Sequence, residues 1–155
     1  MENYNEAYCR NHDIDYFLSI DGVPYHIASY GSDLPCKIDR EDNLALQKKV
    51  YAEINGKRFS FEKDGIETKE QSVKRILNDN WGSDQDIRLS DISDYLVTFI
   101  EFARLGFISC DTIEERLIVL AVPDDSKSES FAKSLNLPEI PKEQLYPFEF
   151  DDSQE

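Results

Sequence analysis

The sequence predicts an α+β domain in which helices cover mainly one face of an antiparallel sheet. Two segments carry the turn signature of a β-hairpin, a late apolar run is typical of a buried strand, and other segments show helical periodicity. A chain of 155 residues with 40% hydrophobic residues can bury one ordinary core. We therefore expect a single domain over residues 1–150, followed by a frayed acidic end at 151–155.

The first predicted hairpin covers residues about 15–28. Asp21-Gly22 suits a type I′ turn, because this turn needs positive φ at both central positions. Pairing from this turn places six apolar or aromatic residues on one face: Tyr16, Leu18, Ile20, Val23, Tyr25 and Ile27. Pro24 indicates that the second strand is an edge or is bulged at that position, since proline cannot donate to a sheet.

The second predicted hairpin covers residues about 49–62, with Asn55-Gly56 as its type I′ turn. Alternation places five residues on one face: Val50, Ala52, Ile54, Phe59 and Phe61. Opposite charges face each other across the other side, as in a solvated sheet. Residues 30–43 are predicted as a loop. For Leu44–Lys49, an extension of the following strand is favoured over a helical turn.

Three helices are predicted, at about 69–80, 91–105 and 128–136. The first has Thr68 and Gln71 as a capping box. The second is predicted to be central, because its apolar stripe is the widest of the three. The apolar positions of the first two are Val73, Ile76, Leu77, Ile92, Leu96, Phe99, Ile100 and Ala103.

Residues 117–122 form an uninterrupted apolar run that is rich in β-branched side chains, so a buried strand is predicted there. The tail that follows contains three prolines after residue 137, which excludes a long helix. Its aromatic cluster of Tyr146, Phe148 and Phe150 is expected to dock on the domain.

The charge excludes several classes of function. The chain has 32 acidic and 17 basic side chains, a formal net charge of −15. Nucleic acids and anionic membranes attract basic surfaces, so we expect no direct binding to either. No apolar run reaches the roughly 18 residues of a membrane span, and the start lacks the pattern of a secretory signal. Three widely spaced cysteines fit reduced thiols, so a cytoplasmic location is predicted.

No motif in the sequence supports catalysis or a cofactor. Cys9, His12, His26 and Cys36 lack the paired spacing of a zinc site. There is no phosphate-binding glycine motif, nucleophile elbow or calcium loop. We therefore predict no catalytic residue, no metal and no cofactor.

The back face of the first hairpin is the candidate binding surface. It carries Phe17, Pro24 and His26 with almost no charge. Two alternatives remain open. Either a helix or the aromatic tail covers this face as a second small core, or it is an exposed patch for a partner.

The leading functional hypothesis is a small acidic cytosolic binding or regulatory protein without catalytic activity. It would present an acidic surface to a basic protein partner, as an inhibitor, an immunity protein or a nucleic-acid mimic does. One alternative is a small enzyme or ligand-binding domain with a pocket between sheet and helices, for which Tyr25, Cys36 and Trp81 are the pocket candidates. Another is a structural subunit of a homo-oligomer.

Overall fold

The structure, a computed structural model, describes residues 4–56, 66–81, 89–123 and 131–149. These residues form an α+β fold with a mixed six-stranded sheet and five helices. Among them, no helix combines the length and the apolar character needed to cross a membrane. The predicted frayed end at 151–155 lies outside the described residues.

The sheet has the strand order β1-β2-β4-β5-β3, with the short β6 also paired to β5. The β2/β4 and β5/β6 pairs are parallel, and the other pairs are antiparallel. The strands are β1 (Asp15–Ile20), β2 (Val23–Ala28), β3 (Ile66–Thr68), β4 (Ile108–Ile113), β5 (Arg116–Pro123) and β6 (Phe148–Glu149). The helices are α1 (Glu6–Asn11), α2 (Arg40–Gly56), α3 (Glu70–Trp81), α4 (Leu89–Arg104) and α5 (Phe131–Ser134).

The first predicted hairpin is confirmed as the β1/β2 pair, in the predicted register. Its turn residues Asp21 and Gly22 have φ of 51° and 80°, as a type I′ turn requires. β2 is an interior strand, but its pairing with β4 begins only at Tyr25. Pro24 therefore lies beyond that pairing, where its missing N–H leaves no sheet hydrogen bond unmade.

The second predicted hairpin is wrong over the residues that the structure describes, because α2 runs from Arg40 to Gly56. Val50 and Ile54 are four positions apart. This spacing places two side chains on one face of a strand, whose period is two, and also on one face of a helix, whose turn is about 3.6 residues. Leu46 extends the helical spacing and is buried with Val50, whereas Ala52 is exposed. The same helix replaces the end of the predicted 30–43 loop and the predicted strand extension, and residues 57–62 lie outside the described chain.

The other predicted elements are found with shifted ends. The helices predicted at 69–80 and 91–105 are α3 and α4, and the predicted strand lies within β5. The third helix is only Phe131–Ser134 in the part of 128–136 that is described. Thr68 ends β3 and is not the cap of α3, which begins at Glu70. Neither α1, β3, β4 nor β6 is predicted by the sequence.

The helices α2 to α5 pack on one face of the sheet, as the sequence predicts. The other face carries Tyr16, Leu18 and Ile27, all fully buried. The segment around Ile38 and the C-terminal tail cover it, with Leu145, Tyr146 and Phe148 among the contacting side chains. Tyr146 and Phe148 thus dock on the domain as predicted, and Phe150 lies outside the described residues.

The β4/β5 turn is strained, and this gives a first prediction. Its central residues Glu114 and Glu115 have φ of 51° and 59°, in the left-handed region that favours asparagine and glycine. The double variant Glu114→Asn/Glu115→Gly should therefore raise the free energy of unfolding by about 1 kcal/mol in urea denaturation. Glu114→Gln/Glu115→Gln removes the same charges and keeps the strain, so equal gains in both variants would contradict this explanation.

Candidate functional site

A buried hydrogen-bonded chain crosses the helical face of the sheet. His26 on β2 is fully buried between Phe17 and Ser109 of the neighbouring strands. Its Nδ1 lies 2.7 Å from the Ser109 hydroxyl oxygen, and its Nε2 lies 2.8 Å from a carboxylate oxygen of Asp15. The ring also stacks on Phe102 of α4, with 3.7 Å between centroids. His26 is therefore fixed on both edges and on one face.

Asp15 carries this chain towards the surface. The Tyr51 hydroxyl, on α2, donates to its second carboxylate oxygen at 2.6 Å. Asn43 and Gln47 of the same helix donate to its backbone carbonyl at 3.0 and 2.8 Å. Burial is the largest influence on the pKa of Asp15 and raises it. The hydrogen bond from His26, the charge of His26 and the hydrogen bond from Tyr51 together outweigh burial, so the pKa of Asp15 is lowered overall. Asp15 is thus held as a carboxylate with 23% of its side chain exposed.

The residue types Ser109, His26 and Asp15 are those of a hydrolytic triad, but their placement is structural. Ser109 and His26 have no exposed surface, so the serine oxygen cannot reach a substrate in this structure. The chain instead satisfies polar groups beneath the helices and orients the Asp15 carboxylate.

A second carboxyl lies two strands away. Asp15, Ala28 and Asp111 face each other across β1, β2 and β4, so only the small alanine side chain separates the two carboxyls on this face. Asp111 is 2% exposed, and its carboxyl accepts hydrogen bonds from the Tyr95 hydroxyl and the Thr112 N–H. Burial raises the pKa of Asp111 to about 7 despite these hydrogen bonds, and nearby acidic charge adds to the shift.

Two tyrosines form the exposed rim of this region. Tyr51 is 37% exposed and Tyr30 is 52% exposed. The Tyr30 backbone N–H donates to the exposed Asp13 carboxylate at 2.8 Å, and Tyr30 has a φ of 50°. Among the described residues, no lysine or arginine forms an ion pair with Asp13, Asp15 or Asp111. We call the carboxyls and tyrosines of this region the acidic corner. Its members are Asp13, Asp15, Tyr30, Tyr51, Tyr95 and Asp111.

The structure places the predicted back-face residues Phe17, Pro24 and His26 in the interior. Of the two alternatives for this face, a covered core and an exposed patch, the structure shows the covered core. Phe17 packs edge-on against Phe102 and close to Phe107, with 5.8 and 5.3 Å between ring centroids. His26 contacts the acidic corner from its buried side, through the hydrogen bond to Asp15.

The three pocket candidates are not brought together. Cys36 lines a surface cavity of about 940 Å³, together with Cys9 and Tyr146. Burial raises the pKa of the Cys36 thiol to about 11, so it stays protonated at neutral pH. Tyr25 packs against Phe148 instead, and Trp81 ends α3 with a side chain that the structure does not describe.

No metal centre is found in the described part of the chain, where no group of three or more histidine, cysteine or acidic side chains is arranged to hold an ion. His12 is exposed, and its Nδ1 lies 2.9 Å from the Tyr8 carbonyl oxygen. No disulfide joins Cys9, Cys36 and Cys110.

Sequence reasoning does not identify the acidic corner. Asp111 and Ser109 lie on β4, a strand that the sequence does not predict, and Tyr51 lies in the segment predicted as a hairpin. One signal was available: Asp15 and His26 both fall on the back face of the confirmed hairpin, one row apart. A carboxyl and an imidazole at that spacing indicate a hydrogen-bonded pair.

Comparison of the chain with protein families, with curated proteins and with solved structures finds no match.

Proposed function

We propose that this is a small cytosolic binding or regulatory protein without catalytic activity, which presents its acidic corner to a basic protein partner. The inhibitor, immunity and nucleic-acid-mimic types all work in this way. The observation that supports the proposal most directly is the pairing of exposed rings with carboxylates that have no described lysine or arginine partner.

The chemistry of the corner suits a cationic side chain. Asp13 and Asp15 supply negative charge at the surface, and the faces of Tyr30 and Tyr51 can stack on a guanidinium group. Tyrosine is enriched at the centres of protein interfaces because it buries much area with few rotatable bonds. The net charge of −15 would also speed the approach of a basic partner.

Backbone strain at the rim fits the same proposal. Tyr30 is held with positive φ and is followed by Gly31, whose φ is 75°. A bulky residue in this conformation costs stability, and such strained residues are concentrated at binding and active sites.

The test compares two double variants as baits for partners in native lysate. Asp13→Asn/Tyr30→Asn removes one charge and one ring from the corner, and asparagine tolerates the positive φ at position 30. The matched control is Asp21→Asn/Leu44→Asn, which removes one charge and one exposed apolar side chain at the β1/β2 turn and on α2. We expect a basic partner that elutes as salt rises, and at least about tenfold weaker binding by the corner variant alone.

Two outcomes would contradict the proposal. The first is equal weakening in both double variants, which would reduce the interaction to unspecific attraction by net charge. The second is that the parent chain captures no basic partner at low salt.

A further inference from the structure

The buried carboxyl of Asp111 lies in the same cross-strand row as the partly exposed carboxylate of Asp15. Ala28 of β2 pairs with Asp15 on one side and with Asp111 on the other, so two strand spacings, about 10 Å, separate the two backbones. Ala28 is 4% exposed and has no polar side-chain atom. Because Ala28 and Asp111 are both buried, solvent ions screen the two carboxyls from each other less than they screen surface charges.

The neighbours of Asp111 come from every element packed around it. Thr112 of its own strand donates a backbone N–H to the carboxyl at 2.9 Å, and Tyr95 of α4 donates its hydroxyl. On β5, the apolar Ile118 lies opposite Asp111. The titratable and charged residues around this position are Asp91 and Tyr95 on α4, His26 on β2, Arg116 at the start of β5, Asp15 on β1, and Asp13 and Tyr30 in the adjoining loops.

The surface charges of the acidic corner act on this buried carboxyl. Burial is the largest cause of the raised pKa of Asp111, and the charges of Asp13 and Asp15 add to it. The coupling is reciprocal: a proton on Asp111 makes the corner less negative, and a cation beside Asp13 and Asp15 favours loss of that proton. The ionised form of Asp111 already has two hydrogen-bond donors, from Tyr95 and Thr112, so it needs no new partner.

We propose that Asp111 is a proton switch for the acidic corner: it releases its proton to solvent when a cationic group binds beside Asp13 and Asp15, and in its protonated form it weakens that binding. This inference rests on the proposed function, because it assigns regulation to the same site. A basic partner then binds more tightly as the pH rises through neutrality, since the corner gains one negative charge. Each binding event releases at most one proton from this group.

The first test needs no partner and measures the coupling itself. A carbon-13 titration of the Asp111 carboxyl in Asp13→Asn should give a pKa lower than in the parent chain by roughly 0.5 to 1 unit, because one repelling charge is gone. Asparagine can still accept the backbone N–H of Tyr30. The matched control is Asp21→Asn at the β1/β2 turn, which should change the pKa by less than about 0.2 units. An unchanged pKa in Asp13→Asn, or an equal shift in both variants, would overturn the proposal.

The second test uses a hexa-arginine peptide as the cationic probe of the full chain. Titration calorimetry across the range from about pH 5.5 to about pH 8.5 should show an affinity that rises about threefold to tenfold more in the parent chain than in Asp111→Asn. Asp111→Asn keeps His12, Asp13 and Asp15, so their titration cancels in this comparison. Near neutral pH, two buffers of different ionisation enthalpy should reveal proton release by the parent chain and less release by the variant.

A second variant and the binding site of the probe separate the possible failures. Tyr95→Phe keeps the Asp111 carboxyl and removes a hydrogen bond that lowers its pKa, so the rise in affinity should move to higher pH. Probe binding at the corner with the same pH dependence in the parent chain and in Asp111→Asn would overturn the proton switch and leave the proposed function standing. A probe that does not bind, or that binds Asp13→Asn/Tyr30→Asn as tightly as the parent chain, would contradict the corner as a cation site and this inference with it.

Discussion

Replacing His26 by alanine should lower the free energy of unfolding by roughly 3 to 5 kcal/mol. The substitution removes a fully buried ring stacked on Phe102 and leaves a cavity beneath α4. It also takes a partner from Ser109, which is fully buried, and from the carboxylate of Asp15. Urea denaturation followed by circular dichroism measures the change.

The control for this prediction is the chain's second histidine. His12 is exposed and stacks on Tyr8, with 3.8 Å between ring centroids. His12→Ala should therefore cost less than about 1 kcal/mol. A loss below about 1 kcal/mol for His26→Ala as well would show that the buried chain does not stabilise the fold.

The same hydrogen-bonded residues give a ranking of stability costs. Ser109→Ala removes one hydrogen bond and almost no volume, so it should cost about 1 to 2 kcal/mol, clearly less than His26→Ala. That ranking follows from packing and hydrogen bonding alone. His26 holds one carboxylate oxygen of Asp15 from the buried side, and Tyr51 holds the other from the side of α2. The orientation of this carboxylate is therefore fixed.

The sequence predicts the elements whose local pattern has one interpretation. In the first hairpin, turn chemistry and face alternation agree, and the register follows from them. The segment that became α2 carries two compatible signals. Asn55-Gly56 suits the end of a helix as well as a hairpin turn, and Val50 and Ile54 are compatible with both periods.

The missing strand β4 has a different cause. Hairpins are recognised from turns rich in asparagine and glycine, whereas the β4/β5 turn is Glu114-Glu115. Tertiary pairing overrides local preference there, since β4 is fixed by β2 on one side and β5 on the other. Because β4 supplies Asp111 of the acidic corner and Ser109 beneath it, missing the strand also hid both of these residues.

The second large effect concerns Asp111 and pH. Burial, followed by nearby acidic charge, raises the pKa of this carboxyl to about 7 in the folded chain, against 3.8 ordinarily. The folded state therefore holds the proton more tightly than the unfolded state does. The resulting stabilisation is complete below about pH 4 and is lost as the pH rises through about 7. Asp15 contributes in the opposite sense and at lower pH, because its pKa is lowered.

Asp111→Asn should remove this dependence. Between pH 5 and pH 8, the parent chain should lose roughly 2 to 3 kcal/mol of stability relative to the variant, as the buried carboxyl ionises. Tyr95→Phe should extend the loss to higher pH, since the Tyr95 hydroxyl donates to the carboxylate and so lowers the pKa of Asp111. Urea denaturation at several pH values measures both effects, and a carbon-13 titration of the Asp111 carboxyl identifies the group.

Asp111→Asn removes the titrating carboxyl and Tyr95→Phe shifts its titration to higher pH, so the two variants test the same proton in two ways. A general effect of removing negative charge from the corner would make Asp111→Asn more stable by a similar amount at every pH, because Asp13 and Asp15 remain beside it. Only a proton held on Asp111 makes the gain appear between pH 5 and pH 8. A parallel shift of the two stability curves would therefore contradict a protonated Asp111, whereas curves that diverge as the pH rises would support it.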